Sequence, residues 1–299
     1  MKFASSLNFS ERSREGALEL NESLELIKAA GMSAIEIDLS RGLGAALFAD
    51  KSWENKFAEL RKALDDVGFK TVSVHALHDP MLYIPDGNAT EEDIKKARVD
   101  AARAAKAAHI LGAEFVVIHP VDNHIDAEYD REVNVKTNLE HYAMLKECVE
   151  QDCSGVKIAV ENVYYSSAYR LRRRFGESAE EVILLAEALG GGVCWNCGHA
   201  HPVTMDQARA VEKIGDRLVL MHISDSRGHT DAGLPPMIGG GNIKWESIMP
   251  AVAKIGFEGY AVLVADQYLS NMPQALQKDA AEFAGTVCRR LVELCDNAK

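Results

Sequence analysis

Short β-rich runs alternate with longer helical segments along the whole chain, and this order constrains the fold more than any other feature. The segments between the runs show helical periodicity, most clearly Glu91–Leu111, where alanine, isoleucine and leucine residues share one face. Strand followed by helix, repeated in this way, predicts parallel strands. The eight runs are Lys2–Ala4, Ala34–Leu39, Thr71–Ala76, Phe115–His119, Lys157–Asn162, Gly192–His199, Leu218–His222 and Tyr260–Asp266.

Two folds place helices around a parallel sheet, the closed (β/α)8 TIM barrel and the doubly wound open sheet. The count of eight favours the barrel, as does the lack of a G-x-G-x-x-G turn after the first run. No long Pro- or Ser-rich linker divides the chain. We therefore predict a single-domain α/β TIM barrel over residues 1–299.

The charge of the chain argues against nucleic acid as a partner. Its net charge is -12, whereas phosphate binding needs a basic face. One dense basic cluster is present, formed by Arg170, Arg172, Arg173 and Arg174 in a single loop. We expect a solvated segment there, and as the second interpretation a contact for an anionic substrate or a neighbouring subunit.

The N-terminus has no apolar core followed by a cleavage pattern, and no apolar run approaches membrane-spanning length. We expect a cytoplasmic protein without a membrane partner. Six cysteines in so long a chain fit reduced thiols. Cys194 and Cys197 have C-x-x-C spacing without a second pair at zinc-site distance. We interpret all six cysteines as structural or incidental. Cys148 and Cys153 do not form an obvious partner pair.

Several strand-like runs end in a residue that a metal ion could use. Glu161, Asn196 and His222 close three apolar runs, although a buried polar group without a partner costs free energy. In a barrel these ends meet at the mouth where active sites lie. By strand parity His75 and His119 can point inward as well. A carboxylate, an amide and imidazoles there are plausible ligands for a divalent borderline cation.

These motifs together resemble the xylose isomerase-like barrels, a superfamily of sugar and sugar-phosphate isomerases and epimerases, inosose dehydratases and endonuclease IV-type repair enzymes. The resemblance spans essentially the whole chain, because each motif falls on the expected strand in the expected order. The motifs are His119-Pro120, Glu161-Asn162, Cys194-Trp195-Asn196-Cys197-Gly198-His199-Ala200-His201, His222-Ile223-Ser224-Asp225, Leu234-Pro235-Pro236, Gly239, Gly241 and Trp245.

The resemblance implies a Mn, Mg, Co or Zn site with ligands from strands five to eight. Carried over, it assigns Glu161, Asn196 and His222 as metal ligands, although the family's usual residue on strand six is aspartate. The family's strand-eight glutamate is replaced by Val264, with Asp266 two residues later on the same face. The family's histidine before Leu-Pro-Pro is Gly233 here.

The same resemblance supplies the remaining expectations for the site. Glu161 is the expected base, and His199 and Asp266 complete the predicted catalytic residues. Some of the expected substrate contacts have an alternative interpretation without a role in binding. The histidines could be hydrogen-bonded residues of the barrel wall, the tryptophan a packing residue and the arginine a solvated loop residue. The expected substrate contacts are His75, His78, His119, Asn162, Arg227 and Trp195.

Three functions remain open at this level. The first is a metal-dependent isomerase or epimerase that removes a proton alpha to the carbonyl of a ketose, keto-sugar or sugar phosphate. The second is a lyase or dehydratase of the inosose dehydratase type, favoured by the missing strand-eight glutamate. The third is a ligand-binding relative with a degenerate metal site. A carbohydrate is the expected partner in each. A homo-oligomer is expected only because homo-oligomers are common among soluble enzymes. DNA repair is disfavoured, because Gly233 and Pro235 do not match the ligands of a three-metal site.

Overall fold

The computed structural model describes residues 1–13, 16–78, 82–83, 89–123, 129–164, 173–204, 206–228, 233–237, 239–266 and 268–298. Among them, eight parallel strands close into a barrel. Closure is direct, because Ser5 in the first strand is in register with Ile35 in the second and Leu263 in the last. The barrel prediction is confirmed. The strands are β1 Lys2–Ser6, β2 Ala34–Asp38, β3 Lys70–His75, β4 Phe115–Ile118, β5 Lys157–Glu161, β6 Gly192–Asn196, β7 Leu218–Ile223 and β8 Tyr260–Leu263.

Helices surround this barrel. The predicted helix Glu91–Leu111 has these bounds in the structure, since Thr90 and Asp93 form a capping box and Gly112 ends the helix at φ 66°. Across the described residues, no helix combines the length and apolarity needed to cross a membrane. The helices are α1 Leu20–Ala29, α2 Gly42–Phe48, α3 Trp53–Asp66, α4 Glu91–Leu111, α5 Arg131–His141, α6 Ala143–Gln151, α7 Ala179–Leu189, α8 Cys197–Ala200, α9 Gln207–Ile214, α10 Trp245–Lys254 and α11 Gln274–Asp296.

Smaller elements complete the description. Two-residue strands Arg12–Ser13 and Gly16–Ala17 pair in antiparallel fashion ahead of α1. Short 3-10 turns cover Leu7–Phe9 and Gly215–Arg217.

The barrel interior has an apolar layer below a polar one. Side chains alternate along a strand, so each inward residue is followed two positions later by another. An inner apolar cluster includes Ala159, Leu220 and Val262. Two residues later, toward the carboxyl ends, come Glu161, His222 and Val264. The apolar cluster therefore forms the layer directly below the polar side chains at the barrel mouth.

The predicted run Gly192–His199 divides into a strand and a short helix. β6 ends at Asn196, and α8 begins at Cys197. The side chain of Asn196 caps this helix, because its Oδ1 accepts from the His199 N–H at 3.0 Å. This cap fixes the position of the His199 ring above the barrel.

The loop after β7 is fastened by one buried carboxylate. Asp225 accepts hydrogen bonds from the backbone N–H of Ser226 and Ile243, at 2.8 and 3.1 Å, and from Trp245 Nε1 at 2.9 Å. A Cβ on Gly241 would lie 2.0 Å from Asp225 Oδ1, which explains the glycine. These bonds hold the loop that carries Gly233 beside the barrel mouth.

The interpretation of Cys148 and Cys153 is corrected by the structure. Their Sγ atoms lie 3.1 Å apart, because α6 ends between them and the chain folds back toward β5. All six cysteines are buried free thiols.

Candidate active site

A cavity of about 390 Å³ opens at the carboxyl ends of the strands. It collects most of the residues singled out from the sequence, together with others that were not. Its lining is Ser6, Glu36, Asp38, Ser40, Arg41, His75, His78, His119, Glu161, Asn196, His199, His222, Gly233, Val264 and Asp266.

Glu161 is the centre of this cavity, and its side chain is 1% exposed. Its Oε1 faces three nitrogen atoms. Asn196 Nδ2 donates to it at 2.8 Å, His222 Nδ1 lies at 3.1 Å and His199 Nδ1 at 3.2 Å. These neighbours come from β6, β7 and α8, so this oxygen ties three consecutive sectors of the barrel together.

The other oxygen of Glu161 faces the opposite sectors. His75 Nε2, at the end of β3, lies 3.0 Å from Oε2. His119 Nε2, just beyond β4, lies 2.9 Å from the same oxygen but off the hydrogen-bonding direction. No described residue gives either ring nitrogen of His119 a hydrogen-bond partner.

This arrangement shifts pKa values in opposite directions. Burial alone would raise the pKa of Glu161, but the charge of His222 and the proximity of His119 hold it well below its usual range. Burial would lower the pKa of His75, yet Glu161 raises it to about 9. For His119 burial prevails over Glu161, and the pKa falls to about 4. Near neutral pH the site therefore holds a carboxylate beside both charged and neutral imidazoles.

Glu36 is a site residue that sequence reasoning missed. Its side chain is buried on β2 and accepts from Ser73 Oγ at 2.6 Å, while its Oε2 lies 3.0 Å from His222 Nε2. His222 thus bridges Glu36 and Glu161, one carboxylate on each ring nitrogen. Despite its burial, the pKa of His222 lies well above its usual value; burial lowers it, and Cys194 and these two carboxylates raise it.

The signal for Glu36 was present in the sequence. In Ile35-Glu36-Ile37-Asp38, acids alternate with isoleucines, so both acids occupy the face opposite the core residues Ile35 and Ile37. Glu36 lies in the middle of its strand, so a polar residue at the end of an apolar run is not the pattern that reveals it.

Asp266 lies on the acidic side of the cavity. Arg41 bridges it to β2, with Nη1 3.1 Å from Asp266 Oδ2 and Nε 2.8 Å from Asp38 Oδ2. Among described residues, Asp266 Oδ1 has no hydrogen-bond partner. Burial raises the pKa of Asp266 to about 7, against the opposing charge of Arg41. Val264 lines the same cavity, so the apolar residue and the acid after it both reach the site.

Three predicted substrate contacts are not among the residues that line the cavity. Trp195 is fully buried in the layer between barrel and helices, because it alternates with the inward-facing Cys194 and Asn196. Asn162 exchanges hydrogen bonds with the backbone of Asn196, at 2.6 and 3.1 Å, and so joins β5 to β6. Arg227 is exposed and donates from Nε to the Gly240 carbonyl at 2.8 Å, which braces its own loop.

The contacts of the expected metal ligands show which of their atoms are available to an ion. Asn196 uses its amide oxygen to cap α8 and turns its NH2 group toward Glu161, which is the reverse of what a ligand requires. His222 has a carboxylate at each nitrogen. By contrast, one oxygen of Glu161 and one nitrogen each of His75 and His119 lie within 4.8 Å of one another. A second such group contains Glu161, Cys194 and His222.

The arginine cluster divides into two environments. Arg173 is half exposed, stacks on the Tyr129 ring at 4.1 Å and contacts Glu181. Arg174 is buried, with Nε 2.7 Å from Asp122 Oδ2. The other two arginines, and His229 and Asp231 of the loop after β7, lie outside the described residues.

Replacing Glu36 by glutamine tests whether the carboxylate pair maintains the charge on His222. We expect the His222 pKa to fall, since burial is then opposed by one carboxylate. Loss of a buried charge partner should also lower the free energy of unfolding at pH 7 by about 3 kcal/mol. A histidine with a raised pKa stabilises the fold below that pKa, so this loss should shrink at high pH. NMR titration of the imidazole and chemical denaturation measure both effects.

Ser73→Ala is the matched control, because it removes a hydrogen bond to Glu36 and leaves its charge. It should cost about 1 kcal/mol and leave the His222 pKa raised. An unchanged His222 pKa in Glu36→Gln would contradict the pairing.

Comparison with known proteins finds similarity both in sequence and in fold. The chain is 26% identical over 269 residues to the uncharacterized protein y4fM of Sinorhizobium fredii, an alignment that covers 80% of this chain and 78% of that one. It superimposes on a D-tagatose 3-epimerase-like protein with a TM-score of 0.73 at 22% identity, covering 99% of each chain. The zinc-bound IOLI protein gives a TM-score of 0.68 at 18% identity, covering 100% of this chain and 99% of that one.

These structural similarities lie below 25% identity and show a shared fold. The family model described as xylose isomerase-like TIM barrel matches residues 24–284, which is most of the chain. The chain therefore belongs to the xylose isomerase-like TIM barrel family.

Proposed function

We propose that this protein is an isomerase or epimerase that moves a proton on the carbon beside the carbonyl of a ketose, keto-sugar or sugar phosphate. The observation that carries the proposal is a pair of carboxyl groups, Glu161 and Asp266, lining one cavity in opposite environments. Glu161 is surrounded by nitrogen atoms and stays ionised, whereas Asp266 lies beside other acids and keeps its proton to about neutral pH. Two carboxyl groups whose pKa values differ in this way can act in one site as a base and an acid.

A carbohydrate suits the walls of this cavity. Hydroxyl groups both donate and accept hydrogen bonds, and the lining offers carboxylates, imidazoles and a guanidinium. The D-tagatose 3-epimerase-like protein of the same fold supports this substrate class. In the proposed reaction Glu161 accepts the proton and Asp266 returns one, with His199 held by α8 as a contact to substrate hydroxyls.

A divalent cation fits the Oε2 side of Glu161. His75 and His119 are the other residues that would hold it, because imidazole and carboxylate together suit zinc and related ions. The buried Nε2 of His119, which has no hydrogen-bond partner in the described part of the chain, supports this choice. When bound, such an ion would polarise the substrate oxygen as a Lewis acid. The zinc atom of the IOLI protein is consistent with a metal in this fold.

A dehydratase is the second candidate, and Val264 favours it. An apolar residue stands where the family supplies a second carboxylate, so the acid available on that side is Asp266, further along the chain. A protonated Asp266 can protonate a leaving hydroxyl, while Glu161 removes the proton on the neighbouring carbon.

Solvent deuterium exchange separates the candidates. With ketopentoses, ketohexoses and their phosphate or carboxylate derivatives in D2O, an epimerase should place deuterium beside the carbonyl without loss of water. A dehydratase should release water instead. Glu161→Gln should slow either reaction by about 10²–10⁴-fold, because it removes the base. Glu212→Gln, a surface carboxylate paired with Lys254, is the control. Exchange that survives Glu161→Gln would reject the mechanism, and metal-independent sugar binding without reaction would indicate a binding protein.

The pH profile tests the role of Asp266. An acid must be protonated to act, and burial keeps the proton on Asp266 up to a pKa of about 7. Turnover should therefore be constant below that pH and fall above it. Asp266→Asn should lower turnover by about 10²-fold and abolish the decline near pH 7. Surface Asp50→Asn should leave the profile unchanged. A decline that persists in Asp266→Asn would assign it to another group.

Metal titration distinguishes the two sides of Glu161. We expect His119→Ala to weaken zinc binding in calorimetry by more than about tenfold, since it deletes a direct ligand. Asn196→Ala should have a smaller effect, because that side chain turns its NH2 group toward Glu161. The reverse order would place the ion on the side of β6 and β7.

A further inference from the structure

Arg174 is anchored beside the cavity by contacts on two of its three nitrogen atoms. Its Nε donates to Asp122 Oδ2 at 2.7 Å, and its Nη1 donates to the Tyr164 carbonyl at 3.2 Å. The other oxygen of Asp122 accepts from the Phe175 N–H at 2.7 Å. Asp122 therefore fixes both the side chain and the backbone of this segment, and the guanidinium cannot swing into solvent.

The third nitrogen, Nη2, is buried and has no hydrogen-bond partner among the described residues. The side chain as a whole is 10% exposed. A buried donor left without a partner costs free energy, and a charged one costs more. Asp122 and Tyr164 already hold the guanidinium in place. Nη2 is therefore a fixed donor that remains available to hydrogen-bond a ligand.

The two residues that hold Arg174 lie at the same end of the barrel as the cavity. Asp122 and Tyr164 come three residues after His119 and Glu161, beyond the carboxyl ends of β4 and β5. The Tyr164 ring is 5.1 Å from the ring of His199, which lines the cavity.

Two further observations relate the same segment to residues of the cavity wall. A Cβ on Gly176 would be 2.4 Å from Pro120, so the chain after Arg174 packs against the residue that follows His119. After burial and His119, the charge of Arg174 contributes to the low pKa of His78, another lining residue.

His78 adds a second unpartnered nitrogen at this place. Its Nδ1 is buried without a hydrogen-bond partner in the described part of the chain, as is Nδ1 of His119. The two rings are 4.1 Å apart. Arg174 Nη2, His78 Nδ1 and His119 Nδ1 are thus all buried without a hydrogen-bond partner among the described residues.

We propose that Arg174 and His78 form an oxyanion subsite that holds a carboxylate or phosphate group of the substrate. The inference deepens the proposed function, on which it rests, by selecting acidic sugars over neutral ones. A guanidinium offers only donors, so an oxyanion with several lone pairs satisfies Nη2 better than a hydroxyl group does. Asp122 compensates part of the charge and orients it, which makes it a positioning residue.

Calorimetry with matched ligand pairs tests the subsite. The pairs are D-ribulose 5-phosphate with D-ribulose, and 5-keto-D-gluconate with L-sorbose. We expect the wild-type protein to bind the anionic member of at least one pair about tenfold or more tightly than the neutral one, a preference within the range of one charge-assisted hydrogen bond. The pair with the larger preference identifies phosphate or carboxylate as the recognised group.

Variants then locate the preference. Arg174→Gln should bring the affinities for the anionic and the neutral ligand of a pair to within about threefold of each other. The affinity for the neutral ligand should not change. Arg173→Gln is the matched control, because that neighbouring arginine is half exposed and contacts Glu181 instead. If the single variant folds poorly with Asp122 unpaired, Asp122→Asn combined with Arg174→Gln restores a neutral pair for the same measurement.

Each outcome decides the proposal. Equal affinity within both pairs in the wild-type protein overturns it, without recourse to any variant. A preference that survives the loss of Arg174 overturns it as well. Deuterium exchange on neutral sugars without an anion preference rejects the subsite and keeps the proposed function. An anion preference that depends on Arg174 in a protein without exchange supports the subsite and rejects that function.

Discussion

The mouth of this barrel depends on one buried carboxylate. Glu161 is removed from water, and a buried charge persists only where partners replace its hydration. Nitrogen atoms from β3, β6, β7 and α8 do so, all within 3.2 Å of its two oxygens. Because those nitrogens come from separate sectors, the carboxylate also fixes the strand ends relative to one another. The same contacts that keep Glu161 ionised therefore define the shape of the cavity around it.

The cavity has two chemically different walls. Imidazoles predominate around β3, β4 and the residues that follow β6, whereas Glu36, Asp38 and Asp266 line the side formed by β1, β2 and β8. His222 belongs to both, since it lies between Glu36 and Glu161. Burial raises the pKa of Asp266, whereas nitrogen neighbours hold the pKa of Glu161 low, so these two carboxyl groups differ in protonation near neutral pH. A substrate between them meets a charged base on one side and a proton donor on the other.

The sequence was sufficient for the fold and for the centre of the site, because both follow from strand parity. Where an apolar run ends in a polar residue in phase with the inward-facing positions, that residue points into the barrel, and both Glu161 and His222 line the cavity. Parity also explains the errors. Trp195 is one position out of phase with Asn196 and packs outward. Glu36 lies one layer inside a strand rather than at its end. The orientation of the Asn196 amide could not be predicted, since it depends on a cap that α8 creates.

The departures from the family pattern produce a consistent arrangement. Where the family has a strand-six aspartate, Asn196 supplies an amide donor, so the Oε1 side of Glu161 is satisfied by hydrogen bonds without any cation. The Oε2 side differs, because His119 is close to it and yet forms no hydrogen bond with a described residue. A cation bound there would replace the proton on His75 and leave the contacts of Asn196, His199 and His222 in place. In the proposed function the ion and the substrate oxygen therefore share the Oε2 side, while the contacts on the Oε1 side hold Glu161 in position.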